Sequence, residues 1–359
     1  MRLLQLQLLG FRNLARVNLS PGPGFNVISG DNGQGKTNFL EAIYVLATLK
    51  SFRTPALREA ITFGETVTRL SARFQTGDEG VVEERELQVD LSSAGKSCRL
   101  DGKAPSSFAS YMSTLRVVLF APEDLHLLRG APPGRRRLLD RAVFTLRPEF
   151  LSAAQTYVRV LKARNAVLRQ LAPDFDLLAV YDRQLVQHGT VMVDHRNRYL
   201  AALAPLFSDT FQLLTQTGAM AEIAYERSFV DLSEALSASR SHDLRRKRTT
   251  VGPHLDDVAF QIGGHSARVV ASQGQTRALI LAWKIAEIRL LMEQHGDAPV
   301  LLLDDVSSEL DSLRNQQLFD FLRGIKCQCF VTTTHPRHVL AEENRMDFHA
   351  VRGAIQPQE

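Results

Sequence analysis

Gly30-Asp31-Asn32-Gly33-Gln34-Gly35-Lys36-Thr37 decides how this chain is read. The stretch satisfies G-x-x-x-x-G-K-[ST], the phosphate-binding P-loop. Glycines at its first and sixth positions let the backbone take positive φ and approach a phosphate closely. Loop amides can then cradle phosphates, Lys36 can reach the terminal oxygens, and Thr37 can offer a hydroxyl to Mg²⁺. The flanks agree. Phe25-Asn26-Val27-Ile28 reads as a short buried strand, and residues 37–49 read as a helix whose N-terminus faces the anion. A nucleoside triphosphate site is expected, with ATP and Mg²⁺ as its ligands and Asn38 at its edge.

Such a site needs a second, carboxylate-bearing strand. Val300-Leu301-Leu302-Leu303-Asp304-Asp305 has the required form, four apolar residues and then two acids. Asp304 is expected to hold the metal with Thr37, and Asp305 to polarise the attacking water. Ser308-Glu309-Leu310-Asp311 follows, Val331-Thr332-Thr333-Thr334-His335 ends the next strand, and Ser272-Gln273-Gly274-Gln275 opens an earlier helix. Alone, the last would be a helix cap. In this order the five elements resemble the ABC-type ATPases: Walker A, signature, Walker B, D-loop and switch histidine. The resemblance implies a second anion site at Ser272, Gln273, Gly274 and Gln275 that grips the nucleotide of another subunit. It also implies nucleotide contacts for Asp311 and His335.

The 359 residues, 44% hydrophobic and 23% charged, suit one large or two smaller globular domains. No apolar run approaches the roughly 20 residues needed to span a bilayer. Met1 to Leu9 lacks signal-peptide form, and Cys98, Cys327 and Cys329 lack disulfide spacing, so a reducing cytoplasm is expected. Cys327 and Cys329 read as packing residues of a strand. The net charge of +4 permits nucleic acid as a partner without requiring it.

Leu4, Leu6 and Leu8 alternate with Gln5 and Gln7, which predicts a half-buried first strand. Residues 66–74, 80–91, 97–100 and 115–120 read as further strands, with turns at 77–80 and 93–95. Residues 135–214 are rich in Leu, Ala, Arg and Gln, with breaks expected at Pro148, Pro173 and Pro205. Strands at 221–225, 257–262 and 267–270 follow, the last two flanking a Gly263-Gly264 hairpin turn. Then come a helix at 275–292, a strand at 299–303, a helix at 313–322 and a strand at 329–333. The fold expected is α/β: an ABC-type P-loop ATPase head with a mixed sheet and antiparallel N-terminal strands. Residues 1–134 and 215–359 would form that head, and residues 135–214 an inserted helical arm.

The gap from Lys36 to Ser272 is far wider than in transporter subunits, and the helical insertion fills much of it. That resembles the SMC-like DNA-repair ATPases, although no sustained heptad pattern is present. Further strings are similar to the RecF family of recombination-repair proteins: Gly10-Phe11-Arg12-Asn13-Leu14, Lys50-Ser51-Phe52-Arg53-Thr54 and Phe120-Ala121-Pro122-Glu123-Asp124-Leu125. Arg135-Arg136-Arg137-Leu138-Leu139-Asp140, Gly252-Pro253-His254-Leu255-Asp256-Asp257 and the run from Leu303 to Asp311 complete the set. The resemblance spans residues 2 to about 335. It implies an ATP-dependent homodimer that binds DNA and works with RecR and RecO to load RecA on single-stranded DNA. Two departures from the wider ABC pattern stand out. Asp305 replaces the usual Glu, which implies slow hydrolysis, and no Q-loop glutamine is evident, Glu123 lying nearest.

Arg12 and Arg53 flank the P-loop and are expected to touch nucleotide. Arg135, Arg136, Arg137 and Arg141 form one basic cluster, and Arg245, Arg246, Lys247 and Arg248 another. Arg159, Lys162, Arg164 and Arg169 give the arm a basic face. Each could neutralise DNA phosphates, or form a solvated helix face, or pair internally with Asp140 and Asp243. His254, Asp256 and Asp257 read as structural or as a dimer contact. The rival functions are a P-loop kinase, which has no use for Ser272 to Gln275, the ATPase subunit of another ABC-type system such as a transporter, and a protein that uses ATP only structurally.

Overall fold

A computed structural model of the chain describes residues 1–77 and 82–358. The expected turn at 77–80 and the first two residues of the strand expected at 80–91 fall largely outside them. The described chain divides into two compact units, residues 1–125 with 283–359, and residues 126–282.

The first unit opens with strands β1 (Arg2–Phe11), β2 (Leu14–Leu19) and β3 (Phe25–Ser29), then helix α1 (Lys36–Thr48). Strands β4 (Val67–Thr76), β5 (Glu83–Ser92) and β6 (Gly95–Leu100), helix α2 (Phe108–Met112) and strand β7 (Val117–Phe120) follow. An antiparallel sheet has the order β2-β1-β4-β5-β6. In β1 the alternation is not the simple one expected. A bulge between Leu3 and Gln5 shifts the pleat, so Leu3, Leu6 and Leu8 are buried and Leu4 is only half-buried.

The second unit holds α3 (Pro132–Leu146), α4 (Phe150–Leu168), α5 (Phe175–Thr215), β8 (Ala221–Glu226) and α6 (Leu232–Arg246). After these come β9 (Asp257–Ile262), β10 (His265–Ser266), the single turn α7 (Ala267–Val270) and the start of α8 (Gln273–His295). Pro148 and Pro173 separate helices as expected, but Pro205 lies inside α5. Its ring removes the hydrogen bond to the Ala201 carbonyl. Ala201 is exposed, so water can satisfy that oxygen and the helix continues. Residues 267–270 are a helical turn, not the strand that Val269 and Val270 suggested. β10 pairs with β9 for only two residues, and the turn then buries Ala267 while leaving Val269 and Val270 exposed. This unit extends beyond the arm expected at 135–214, because β8 packs on α5 and β9 on α3.

Residues 283–359 return to the first unit with β11 (Val300–Asp304), α9 (Val306–Glu309), α10 (Ser312–Gly324), β12 (Cys329–Thr333), β13 (Arg345–Val351) and β14 (Ala354–Pro357). They complete a six-stranded sheet of order β14-β13-β3-β12-β11-β7, parallel except for β14. Helix α1 packs against both sheets of this unit, which explains why it is apolar nearly all round. Gln328, 1% exposed, ties the sheets together: its side chain bonds both the amide and the carbonyl of Leu3, and the Gly22 carbonyl. Cys327 and Cys329 are buried free thiols, as packing residues would be.

Candidate nucleotide site

In parallel sheets ligands collect beyond the C-terminal strand ends. The register here places those ends side by side: Ser29 opposite Thr333, and Thr332 opposite Asp304. The P-loop therefore leaves β3 one strand away from the β11 acids, with β12 between them. Gly30, at φ 142°, lies so close to β13 that a Cβ would sit 2.5 Å from the Ala350 carbonyl oxygen. Gly35, at φ 108°, caps α1 in the left-handed region.

The Thr37 hydroxyl donates to Asp304 Oδ1 at 2.8 Å, and the Thr332 hydroxyl reaches the same oxygen at 2.7 Å. Asp304 is 6% exposed. Burial raises its carboxyl above the ordinary range, the Thr332 and Thr37 hydrogen bonds oppose that, and Glu123 and Asp305 add to it. Exposed Glu123, nearest to the missing Q-loop position, is thus close enough for its charge to be felt at Asp304. Asp305 adopts φ 47°, its amide bonds the Thr332 carbonyl at 3.1 Å, and its Oδ1 is buried with no hydrogen-bond partner among the described residues. Lys36 Nζ folds back onto the carbonyls of Gly30 (2.6 Å) and Asp31 (2.8 Å). Burial lowers its pKa, against the pull of Asp305, Asp304 and Asp31. Among the described residues no cation lies within ion-pair distance of Asp304 or Asp305. A hydroxyl, a carboxylate and an unpartnered acid oxygen are hard donors that fit Mg²⁺.

Contacts that sequence reasoning missed brace the loop. The turn between β13 and β14 donates from the Gly353 amide to the Gln34 carbonyl (3.2 Å) and from the Arg352 amide to Gln34 Oε1 (2.6 Å). Asn13 Nδ2 donates to the Gly33 carbonyl (3.2 Å), and Asn38 Nδ2 donates to Asn13 Oδ1 (2.8 Å). The Arg12 guanidinium forks onto Glu41 at 2.7 and 3.0 Å, and Arg53 donates to Asn38 Oδ1 at 2.5 Å. Only the folded chain could reveal these partners, some of which lie more than 300 positions apart in sequence.

Ser272, Gln273, Gly274 and Gln275 belong to the second unit and open α8. Gln275 N donates to Ser272 Oγ (3.1 Å) and Ser272 N to Gln275 Oε1 (2.9 Å), a capping box. The helix thus starts two residues earlier than expected, with Ser272 and Gln273 exposed. Asp311 caps α10 by accepting from Arg314 N at 3.0 Å. His335 is exposed beyond β12, its ring 5.3 Å from that of His338.

The basic clusters separate. Arg135 is 1% exposed, bound to Asp257 and to the carbonyls of Leu127, Leu128 and Gly130, and Arg136 bonds the Asp256 carbonyl. Arg164 is fully buried between Asp182 and Asp243. Neither Arg135 nor Arg164 can meet DNA in this fold. Asp140 and Asp243 do pair internally, but with Arg196 and Arg164 and not with the exposed runs beside them. Arg137, Arg159, Lys162, Arg169 and Arg245 to Arg248 remain exposed. His254, Asp256 and Asp257 are structural in the second unit: His254 meets the Tyr157 hydroxyl at 2.8 Å, and Asp256 accepts from Tyr225 and Ser228.

Comparison with known proteins supports the same chemistry. The family model described as the RecF/RecN/SMC N terminal domain matches residues 2–355. The DNA replication and repair protein RecF of Myxococcus xanthus (strain DK1622) is 42% identical over 349 residues, covering 93% of this chain and 91% of that protein. Its namesake in Geobacter sp. (strain M21) is 39% identical over 354 residues, covering 96% of each. A solved structure of the recombination mediator protein RecF bound to an ATP analogue, in the RecFOR pathway, superposes with a TM-score of 0.89 at 29% identity, covering 99% of this chain and 98% of that one. An Smc head bound to the C-winged helix domain of ScpA shares the fold alone, with a TM-score of 0.59 at 17% identity. No described helix is long and apolar enough to cross a membrane. A P-loop and an acid-ended strand side by side on one parallel sheet, in a chain matched along nearly its whole length, place this protein in the RecF/RecN/SMC family of ATPases as a RecF-type DNA replication and repair protein.

Proposed function

We propose that two copies of this chain close on DNA when ATP binds, and that slow hydrolysis reopens them. The observation that carries this reading is the acid pair at the end of β11, beside Thr37, with no cation within ion-pair distance of it among the described residues. Loop amides from Gly30 to Asn38 hold the polyphosphate, and Lys36 exchanges two carbonyl partners for phosphate oxygens. Thr37 and Asp304 would hold Mg²⁺, which when bound would supply neutralising charge to the polyphosphate. Asp305 orients the attacking water and takes its proton. Being one methylene shorter than Glu, it does so from farther away, and turnover is slow. Ser272, Gln273, Gly274 and Gln275 of the second copy close over the terminal phosphate, with Asp311 and His335 at the same seam.

The relatives' role in replication and repair, and the RecFOR pathway named for the solved structure, favour DNA with single-strand/double-strand junctions over a transported solute or a kinase acceptor. RecR and RecO would be partners, RecA the protein loaded, and the cytoplasm the compartment. The test is the solution mass of Asp305→Asn on DNA, with and without Mg-ATP. A nucleotide-dependent shift to a dimer is expected. Ser272→Arg should abolish that shift while ATP still binds its own P-loop, and a monomer in every condition for Asp305→Asn sinks the composite site.

A further inference from the structure

Glu41 lies on α1, one turn beyond the P-loop, and none of the chemistry above uses it. Its side chain is 0% exposed, on a helix packed between two sheets. A carboxylate there is costly unless paired. One partner would suffice for packing, but donors from three places converge on it. Arg12 at the end of β1 supplies Nε (3.0 Å) and Nη2 (2.7 Å), Ser51 supplies its hydroxyl (2.5 Å), and Arg53 brings Nη1 to 3.7 Å. Arg12 Nη1 also donates to the Glu59 carbonyl at 2.9 Å, while the Glu59 carboxylate is taken up by Thr54.

Two guanidinium groups therefore share one buried carboxylate, and a positive charge is left over. A guanidinium has five N–H donors in a fixed fork. Arg12 spends three of them inward, and Arg53 spends one on Asn38, the residue after Thr37. The arginine side chains keep 19% and 46% exposure, so the unused donors have room to meet an anion. Asn38 is joined through Asn13 to the Gly33 carbonyl, which ties the cluster to the phosphate-binding loop itself.

We propose that Glu41 is a positioning residue: it sets the Arg12 and Arg53 forks at the flank of the P-loop so that they complete the binding of the nucleotide's polyphosphate. The proposal rests on the ATP-binding reading above. Glu41 touches no substrate and acts only through the two arginines.

The test is titration of the full chain with a fluorescent N-methylanthraniloyl ATP in the presence of Mg²⁺. Glu41→Gln should weaken binding about tenfold, the scale of a lost charge-assisted contact. On an Arg12→Gln/Arg53→Gln background the same change should leave affinity within about twofold. Equal losses on both backgrounds, or unchanged affinity with a lowered melting temperature, would make Glu41 a merely structural acid and overturn the proposal. If Glu41→Gln does not fold, Arg53→Gln decides, since that side chain is half-exposed: about tenfold weaker binding supports the proposal, and unchanged affinity overturns it. Failure of the parent chain to bind the probe, with Lys36→Ala as the blank, would instead remove the ATP reading beneath it.

Discussion

Buried charge is treated in opposite ways in the second unit and at the β11 end of the first, where it contrasts even with the paired Glu41 of the same unit. In the second unit the acids Asp140, Asp182, Asp243, Asp256 and Asp257 are each saturated by donors of the same unit, mostly arginines 18 to 122 positions away in sequence. At the β11 end, among the described residues, Asp304 receives two hydroxyls, Asp305 keeps a buried oxygen without a partner, and Lys36 is spent on carbonyls. Saturated charge builds a scaffold. Charge left short of partners marks where a ligand completes the network.

Two substitutions break this contrast most directly. Removing one member of a buried ion pair strands the other, at a cost of about 3–5 kcal/mol. Arg164→Met, which strands Asp243 and Asp182, should therefore lower unfolding stability by that amount in denaturant while ATP affinity holds. Lys36→Ala should do the reverse. Turnover should fall by about 10²–10³, while stability changes by no more than about 1 kcal/mol. Comparable unfolding losses for the two variants would erase the distinction between scaffold and site.

A smaller effect comes from His254, which belongs to the saturated unit yet titrates. Burial depresses its pKa to about 4 from 6.5. Between those values the unfolded chain binds a proton that the folded chain refuses, so stability is full above pH 6.5 and falls as pH drops toward 4. The loss reaches about 3 kcal/mol. Its contact with the Tyr157 hydroxyl fits a neutral ring accepting at Nδ1. Unfolding curves from pH 7 to pH 4 should show this slope, and His254→Gln, which keeps an acceptor for Tyr157, should flatten it. A slope unchanged by the substitution would assign the acid sensitivity to other groups.

What the sequence disclosed and what it hid follow the same division. The P-loop, the Asp304-Asp305 strand and the β12 strand were legible because each is local: a short apolar run that ends in the residues to which the proposed chemistry is assigned. The common sheet followed from the alternation of strands and helices. The fates of the arginines were not legible. Arg135 and Arg137 sit in one run, yet the first is buried on Asp257 and the second is exposed. Only the helical phase of α3 against β9 separates them. Glu41 drew no reading from the sequence, because nothing in its neighbours says that Arg12 lies across from it. The brace of Arg352 and Gly353 on Gln34 was hidden for the same reason. Residues 267–270 misled in another way, their β-branched side chains outweighing the absence of a strand to pair with.

The finest division between the two kinds of charge runs through the basic residues of the second unit. Arg245, Arg246, Lys247 and Arg248, at the end of α6 and just past it, are exposed, and among the described residues none of them makes an ion pair. Cations near a helix C-terminus gain a little from its dipole, about 0.3–1 kcal/mol each, so position alone gives some reason for them. If they also touch DNA phosphates, each contact releases counterions. Replacing Arg245 and Arg248 with Gln should then weaken DNA binding alike on all sequences and reduce the slope of log affinity against log salt by about 1 per lost contact. Folding stability should move by under about 1 kcal/mol. An unchanged slope would leave the run as a solvated cap and shift the DNA surface toward Arg159, Lys162 and Arg169. Arg135→Gln supplies the converse: its charge never meets solvent, so it should cost stability first, and any DNA effect should vanish when binding is corrected for the folded fraction.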